Sequence, residues 1–326
     1  MRKTILLRVA MAFLLLFVIL QSKSTITQQS ANDTSKVTIK YLVTAGWEIT
    51  HNNTVLLIDP YITRLRRNYS SNPDSISPTF PGDNRKAFNA NDILEPDTLA
   101  IDKYIKKADY IFVHHSHRDH VMDVPYIAQK TGASIIGHES TANMMYAYSI
   151  PGQQIITVKG GEDYEFGAFS VKVIPSLHSP LDNKRHYESH VISKDTKAPF
   201  RFNDYAEGGS LQFLIRIGGY TILTSGSMNY IEKELQGLHP DIAIVGANLS
   251  RKEIYEYDER LMKVLNYPAI VLPTHWDAFN LPYSAPQEDN QKVAEGFKDD
   301  IKKASPKTKV IIPNYFEPII LNAKRK

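Results

Sequence analysis

The run Asp109-Tyr110-Ile111-Phe112-Val113-His114-His115-Ser116-His117-Arg118-Asp119-His120 is an apolar segment that ends in a cluster of metal-binding side chains. Its H-x-H-x-D-H spacing suits two ions rather than one. On an extended strand end, residues two apart point the same way, so His115 and His117 face one point. The turn that follows can aim Asp119 and His120 at a neighbouring point. His114 points opposite to His115 and is read as a supporting side chain, not a ligand. Imidazole and carboxylate without thiolate suit zinc first, with iron or manganese as alternatives. The competing reading is a histidine-rich surface loop. The buried-looking strand that feeds the motif and the partners that recur downstream argue against it.

These residues resemble the signature of the metallo-β-lactamase superfamily, over about Val37 to about Leu321. In Val173-Ile174-Pro175-Ser176-Leu177-His178, His178 resembles the third histidine of the first metal site. In Ile270-Val271-Leu272-Pro273-Thr274-His275-Trp276, His275 resembles the last histidine, which completes the second. Leu56-Leu57-Ile58-Asp59 resembles the early strand whose Asp supports the site from behind. The implied fold is α/β, a four-layer αβ/βα sandwich. The implied ligand sets are His115, His117 and His178 for one zinc ion, and Asp119, His120 and His275 for a second.

One position departs from the family pattern. In Thr221-Ile222-Leu223-Thr224-Ser225-Gly226-Ser227-Met228, Ser227 stands where members usually carry an Asp that bridges both metals. A neutral hydroxyl is a poor ligand, so the second ion is conditional. Glu207 offers a substitute carboxylate, against its reading as a solvated loop acid. The resemblance implies a zinc-bound hydroxide attacking an ester-like, lactone or phosphodiester substrate, with Asp119 holding the nucleophile or shuttling its proton. Trp276 and Asp277 are expected either to shape the pocket or to serve packing and a helix N-cap. β-Lactam hydrolysis with a cysteine-free site is the alternative activity. A non-catalytic metal-binding member is the alternative of another class.

Composition bounds the rest. The chain has 326 residues, 42% of them apolar, a net charge of +3 and no cysteine. That is enough for a large core but offers no disulfide and no thiolate ligand. The charge is spread along the chain, so no nucleic-acid footprint stands out and a small-molecule substrate is expected. Met1-Arg2-Lys3, the apolar run Val9 to Leu20 and Ser22-Lys23-Ser24 read as a signal peptide over residues 1–24, or an uncleaved N-terminal anchor. Residues 25–36 read as a flexible leader and 37–322 as the hydrolase domain. The expected location is exported, a bacterial periplasm or the exterior. Asn32, Asn52, Asn68 and Asn248 lie in glycosylation sequons.

Periodicity predicts strands over Val37–Trp47 and Thr54–Asp59, hairpinned at His51-Asn52-Asn53, then a strand at Asp109–His114 and a helix over Asp119–Lys130. Further strands are predicted at Ser134–Gly137, Gln154–Val158, Phe169–Ser176, Ser210–Ile217, Tyr220–Thr224, Ile242–Val245, Ala269–Pro273 and Val310–Pro313. Helices are predicted at Ile231–Leu238, Glu253–Leu265 and Gln287–Lys303. Two long irregular stretches remain, Tyr61 to about Asn91 and Ser179 to Glu207. They carry Arg64, Arg66, Arg67, Lys184, Arg185, His186, Tyr187, His190 and Arg201. Loops of that length are expected to wall a binding site rather than form passive surface, and their excess of cations suits an anionic substrate, although Arg64-Leu65-Arg66-Arg67 reads equally as a solvated face.

Overall fold

Two seven-stranded sheets carry the chain. In spatial order the first runs Pro318–Asn322 (β16), Lys36–Tyr41 (β1), Trp47–His51 (β2), Thr54–Ile58 (β3), Tyr110–Phe112 (β6), Ser134–Gly137 (β7) and Ile155–Thr157 (β8). The second runs Lys309–Val310 (β15), Ile270–Thr274 (β14), Ile242–Gly246 (β13), Tyr220–Ser225 (β12), Ser210–Ile217 (β11), Phe169–Ser176 (β10) and Asp163–Glu165 (β9). Arg66–Arg67 (β4) and Ala87–Phe88 (β5) form a separate parallel pair. The computed structural model describes residues 35–67, 80–180 and 188–324. The predicted signal segment, nearly all of the leader, Asn68, Lys184, Arg185, His186 and Tyr187 lie outside the described residues.

Burial patterns explain the layers. β1 alternates, with Val37, Ile39 and Tyr41 buried and the residues between them partly exposed. β13 is buried at every position, as expected of a parallel strand flanked on both sides and covered on both faces. Phe112, Trp47 and Ile58 of the first sheet share one core with Phe213, Val173 and Ile222 of the second, and Leu261, Phe297 and Ile301 join it from two helices, Tyr257–Val264 and Glu288–Ala304. On the other side, Leu57 and Ile111 pack with Ile101, Ile127 and Met144 from helices Thr98–Tyr104, Val124–Thr131 and Glu139–Ala147. Helices, sheet, sheet and helices thus form the four-layer α/β sandwich. No helix among the described residues is long and apolar enough to cross a membrane.

Several predicted elements are corrected. The run Val37–Trp47 is not one strand: Leu42–Gly46 is a tight turn closed by Gly46 N–H donating to the Val43 carbonyl at 2.7 Å. A Cβ at Gly46 would lie 2.9 Å from that oxygen, so the turn needs glycine. The turn escaped periodicity because Leu42, Val43 and Ala45 are themselves buried. The predicted helix Asp119–Lys130 is two, Arg118–Val121 and Val124–Thr131, broken at Asp123. Its carboxylate turns away to accept from Ile62 N–H at 2.6 Å and from the Thr63 hydroxyl at 2.5 Å. The helix predicted from Glu253 starts at Tyr257, after a 3-10 turn over Leu249–Glu253. Thr98–Tyr104 and Glu139–Ala147 are helices the periodicity reading omitted.

Arg64 is the largest correction. Expected on a binding wall, it is buried, with Nε donating to the Leu281 carbonyl and Nη2 to the Ala278 carbonyl, both at 2.6 Å. Nη1 lies 3.4 Å from the Asp277 carboxylate, and the guanidinium sits 4.7 Å from the Tyr283 ring centroid. Asp277 in turn accepts from the Tyr41 hydroxyl at 3.0 Å, Thr44 N–H at 3.1 Å and the Tyr315 hydroxyl at 2.8 Å. Asp277 is therefore a clamp between the loop after β14 and the 42–46 turn, not a helix cap. Arg66 is likewise spent on backbone, donating to the Asp83 and Arg85 carbonyls.

Two measurements check these packing arguments. Arg64→Met should cost about 3–5 kcal/mol in urea denaturation, because it leaves Asp277 buried without its cation; a loss below about 1 kcal/mol would show that the clamp does not matter. Burial pushes the Asp123 carboxyl up to about 6, outweighing the donors from Thr63 and Ile62, with the Asp97 charge adding to the rise. Its contribution is fully present below about pH 4 and lost as pH rises through 6, about 3 kcal/mol in all. The metal-free Asp123→Asn protein should lack that slope between pH 4 and 6; an unchanged slope would assign it to other groups.

Candidate metal centre

The chemistry-bearing side chains sit at the C-terminal ends of strands. Asp59 follows β3, the His114–His120 motif follows β6, His178 follows β10, Ser227 follows β12 and His275 follows β14. Strands end there because the apolar run stops at the polar residue, which leaves that residue at the mouth of the sandwich. Asp59 and His275 take left-handed backbone, φ 40° and 55°. Neither is a glycine, so tertiary bonds hold the strain. For Asp59 these are the three donors described below. For His275 one is its own N–H, which donates to the Thr44 carbonyl at 2.6 Å.

The structure brings the six candidate ligands together in the expected two groups. One donor atom from each of His115, His117 and His178 lies within 4.8 Å of the others, and the same holds for Asp119, His120 and His275. The rings of His115, His117 and His178 are 4.7–4.8 Å apart and steeply inclined, at 86°, 77° and 90°. Three such rings converge on a point rather than stacking. The groups adjoin: the His115 and His120 ring centroids are 3.8 Å apart. Asp119 Oδ2 lies 3.3 Å from His275 Nε2 and 3.6 Å from His120 Nε2.

These residues fit a cation. His115 is buried with neither ring nitrogen hydrogen-bonded, and His275 Nδ1 is buried without a hydrogen-bond partner. A buried polar atom left so costs about 1–3 kcal/mol, a cost that a coordinated ion removes. His120 Nδ1–H donates to Asp59 Oδ2 at 2.6 Å and His178 Nδ1–H to the Ser179 carbonyl at 3.0 Å, which leaves each Nε2 for the site. Protonation matches as well. Burial holds His115 well below the usual histidine range, and burial reinforced by neighbouring histidines lowers His117 to about 3. Burial also lowers His178, to about 4. Asp119 is held well below the carboxylate range: burial acts to raise it, and the His120 charge and the His275 hydrogen bond outweigh burial. Neutral imidazoles in the three-histidine group and an ionised Asp119 beside it suit an incoming divalent ion. At His275 burial acts to lower the pKa, but the Asp119 hydrogen bond and charge raise it above the usual histidine value, so an ion there displaces a proton.

The supporting residues fall as follows. Asp59 accepts from His114 N–H at 2.9 Å and His114 Nδ1–H at 2.7 Å as well as from His120. His114 continues to the Thr224 hydroxyl at 3.0 Å and is no ligand. Ser227 lines the cavity, but its hydroxyl is taken up by Ser179, accepting from Ser179 N–H at 2.9 Å and pairing with Ser179 Oγ at 2.7 Å. Trp276 packs in the core between Tyr41 and Tyr315 and does not line the cavity. Glu207 is buried and accepts from the Ser210 hydroxyl at 2.8 Å, so it is not a solvated acid. The cavity measures about 240 Å³. Sequence reasoning missed several of its lining residues, Met228, Asn248, Ser250 and Phe279 among them, because no local pattern marks them.

Residues 38–275 match the family model described as a beta-lactamase superfamily domain. The chain belongs to the metallo-β-lactamase superfamily. A metal-dependent hydrolase of Methanosarcina mazei is 28% identical over 273 residues, covering 82% of this chain and 91% of that one. Another, from Carboxydothermus hydrogenoformans, is 30% identical over 141 residues, 42% of this chain; there the match spans about half of the relative, 54%. Among solved structures, a metallo hydrolase of Ignicoccus hospitalis superposes with a TM-score of 0.55 at 16% identity over 89% of this chain and 100% of that one, which shows the shared fold.

Within the superfamily fold, Asp59 holds a ligand of the Asp119, His120 and His275 group only. Asp59→Asn should therefore weaken one ion about 10–100-fold and leave the other intact. Chelator competition on the purified protein measures this. Equal weakening of both ions, or of neither, would sink the assignment.

Proposed function

We propose that this cavity hydrolyses an ester-like, lactone or phosphodiester bond of a small substrate, with zinc as the ion. The coarser part of that reading, a metal-dependent hydrolase of the superfamily, rests on the family match and on the relatives. The observation that carries it is the pair of adjoining three-donor groups, of which all but the buried His115 line one cavity. Five imidazoles, one carboxylate and no thiolate favour zinc, with iron and manganese next. When bound, such an ion supplies Lewis acidity toward the scissile group and acidifies a water toward neutral pH.

The chain's own residues supply the rest. His115, His117 and His178 hold one ion, and Asp119, His120 and His275 the other. Asp119 stays ionised in the cavity wall, where it can orient an attacking water and take its proton. Met228 and Phe279 add apolar surface that limits competing water. For an anionic substrate the lining offers Arg118, whose charge is shared with Glu188 at 3.0 Å. Arg64 and Arg66 give no such support, since both are bonded into the protein, and Arg201 donates to the Asn91 carbonyl.

The test combines metal analysis with turnover. Purified protein should carry at least one zinc-like ion and turn over one class in a panel of phosphodiesters, lactones and β-lactams. His117→Ala should lower kcat/KM on that class by about 100-fold or more. Turnover confined to β-lactams would move the reading to the alternative activity. Metal-loaded protein that hydrolyses no class would sink it.

A further inference from the structure

We propose that Glu188 completes the three-histidine site as its carboxylate, supplying there the anionic charge that Ser227 does not. The inference rests on the reading that His115, His117 and His178 hold a divalent ion. Glu188 Oε2 lies 3.8 Å from His117 Nε2 and 3.0 Å from Arg118 Nη1. Neighbouring donors on one zinc ion, each about 2.0–2.2 Å from it, are separated by about 3–4 Å. The Glu188–His117 spacing falls in that interval, and since the group of mutually close donors holds the three histidines alone, the carboxylate would approach from the His117 side.

The placement is built rather than incidental. Glu188 takes left-handed backbone, φ 46°, which a non-glycine residue holds only where surrounding contacts enforce it. Its carbonyl accepts from Glu207 N–H at 2.8 Å, and the Glu207 carbonyl accepts from Ser116 N–H at 2.9 Å. Ser116 lies between His115 and His117, so two backbone hydrogen bonds tie Glu188 to the ligand motif itself. Gly208 N–H adds a third tie, to the His190 carbonyl at 3.2 Å. Arg118, which draws the carboxylate to the His117 side, is itself seated 3.8 Å over the Phe202 ring.

Charge supplies the reason. The six ligands include one carboxylate, Asp119, against two divalent ions, and the site is buried. Uncompensated charge in such a place is costly. Ser227 is neutral and engaged by Ser179; Glu207 accepts from the Ser210 hydroxyl, and its charge acts on His178 from there. Glu188 is the carboxylate outside the six that comes within 4 Å of a ligand nitrogen of the three-histidine group among the described residues. A divalent ion attracts it more strongly than the single charge of Arg118 does.

Zinc content and affinity by chelator competition on the intact protein test this without reference to turnover. Glu188→Gln should weaken one ion about 10–100-fold and, in cobalt-loaded protein, change the visible absorption. Arg118→Met, which leaves the carboxylate and removes its competitor, should bind that ion as well as wild type or more tightly. Unchanged affinity and spectrum in Glu188→Gln would overturn the proposal, as would equal weakening by Arg118→Met, which would reduce Glu188 to a salt-bridge partner. Wild-type protein that takes up no ion would instead overturn the metal-site reading on which the proposal stands.

Discussion

The buried Asp59 carboxylate is the joint on which the site depends. It receives the His114 backbone and ring and the His120 ring, three donors at 2.6–2.9 Å. Burial alone would raise its pKa, but His114 and His120 bring it down to about 2, so it stays ionised. One anion thereby ties the end of β3 to the end of β6 and sets the tautomer of a ligand histidine. The left-handed turn at Asp59 is held in place by these same bonds.

The second half of the site hangs on a comparable device. Thr44 joins the two sheets: its carbonyl accepts from His275 N–H and from the Thr274 hydroxyl, and its N–H donates to Asp277. Arg64 secures Asp277 from the other side, with Tyr283 and Tyr315 around its guanidinium. Buried ion pairs stabilise little in net terms, yet losing one partner is expensive. Their use here is geometric: they fix where His275 meets Asp119. The position of His275 thus depends on Thr44, Arg64 and Asp277, none of which lines the cavity.

The site combines crowded imidazoles with few anions. In the three-histidine group, His115, His117 and His178 are kept neutral by burial and by their histidine neighbours, so cation binding there releases few protons. Ser227 is neutral, and its hydroxyl is engaged by Ser179. Whatever offsets the charge must come from another segment, and the 188–208 loop is laid directly on the ligand motif.

The sequence by itself determined the apolar strand runs and the histidines and aspartates that end them, and its family resemblance pointed to the sandwich, to six candidate ligands and to Asp59 behind them. Apolar runs of strand length end in histidine or aspartate, and the spacing within His115–His120 divides the donors between two points. It also made the departure at Ser227 visible. Tertiary structure alone decided the rest. Arg64 reads as a surface cation in a polar loop, and its burial is set by carbonyls of Ala278 and Leu281 over two hundred residues away. The 42–46 turn was hidden because its apolar residues face the core as a strand's would. Glu188 has no periodic signal, and only the stacking of 188–190 on 207–208 brings it to His117. Strand ends are written in short-range pattern; where a long loop comes to rest is decided by hydrogen bonds to distant backbone.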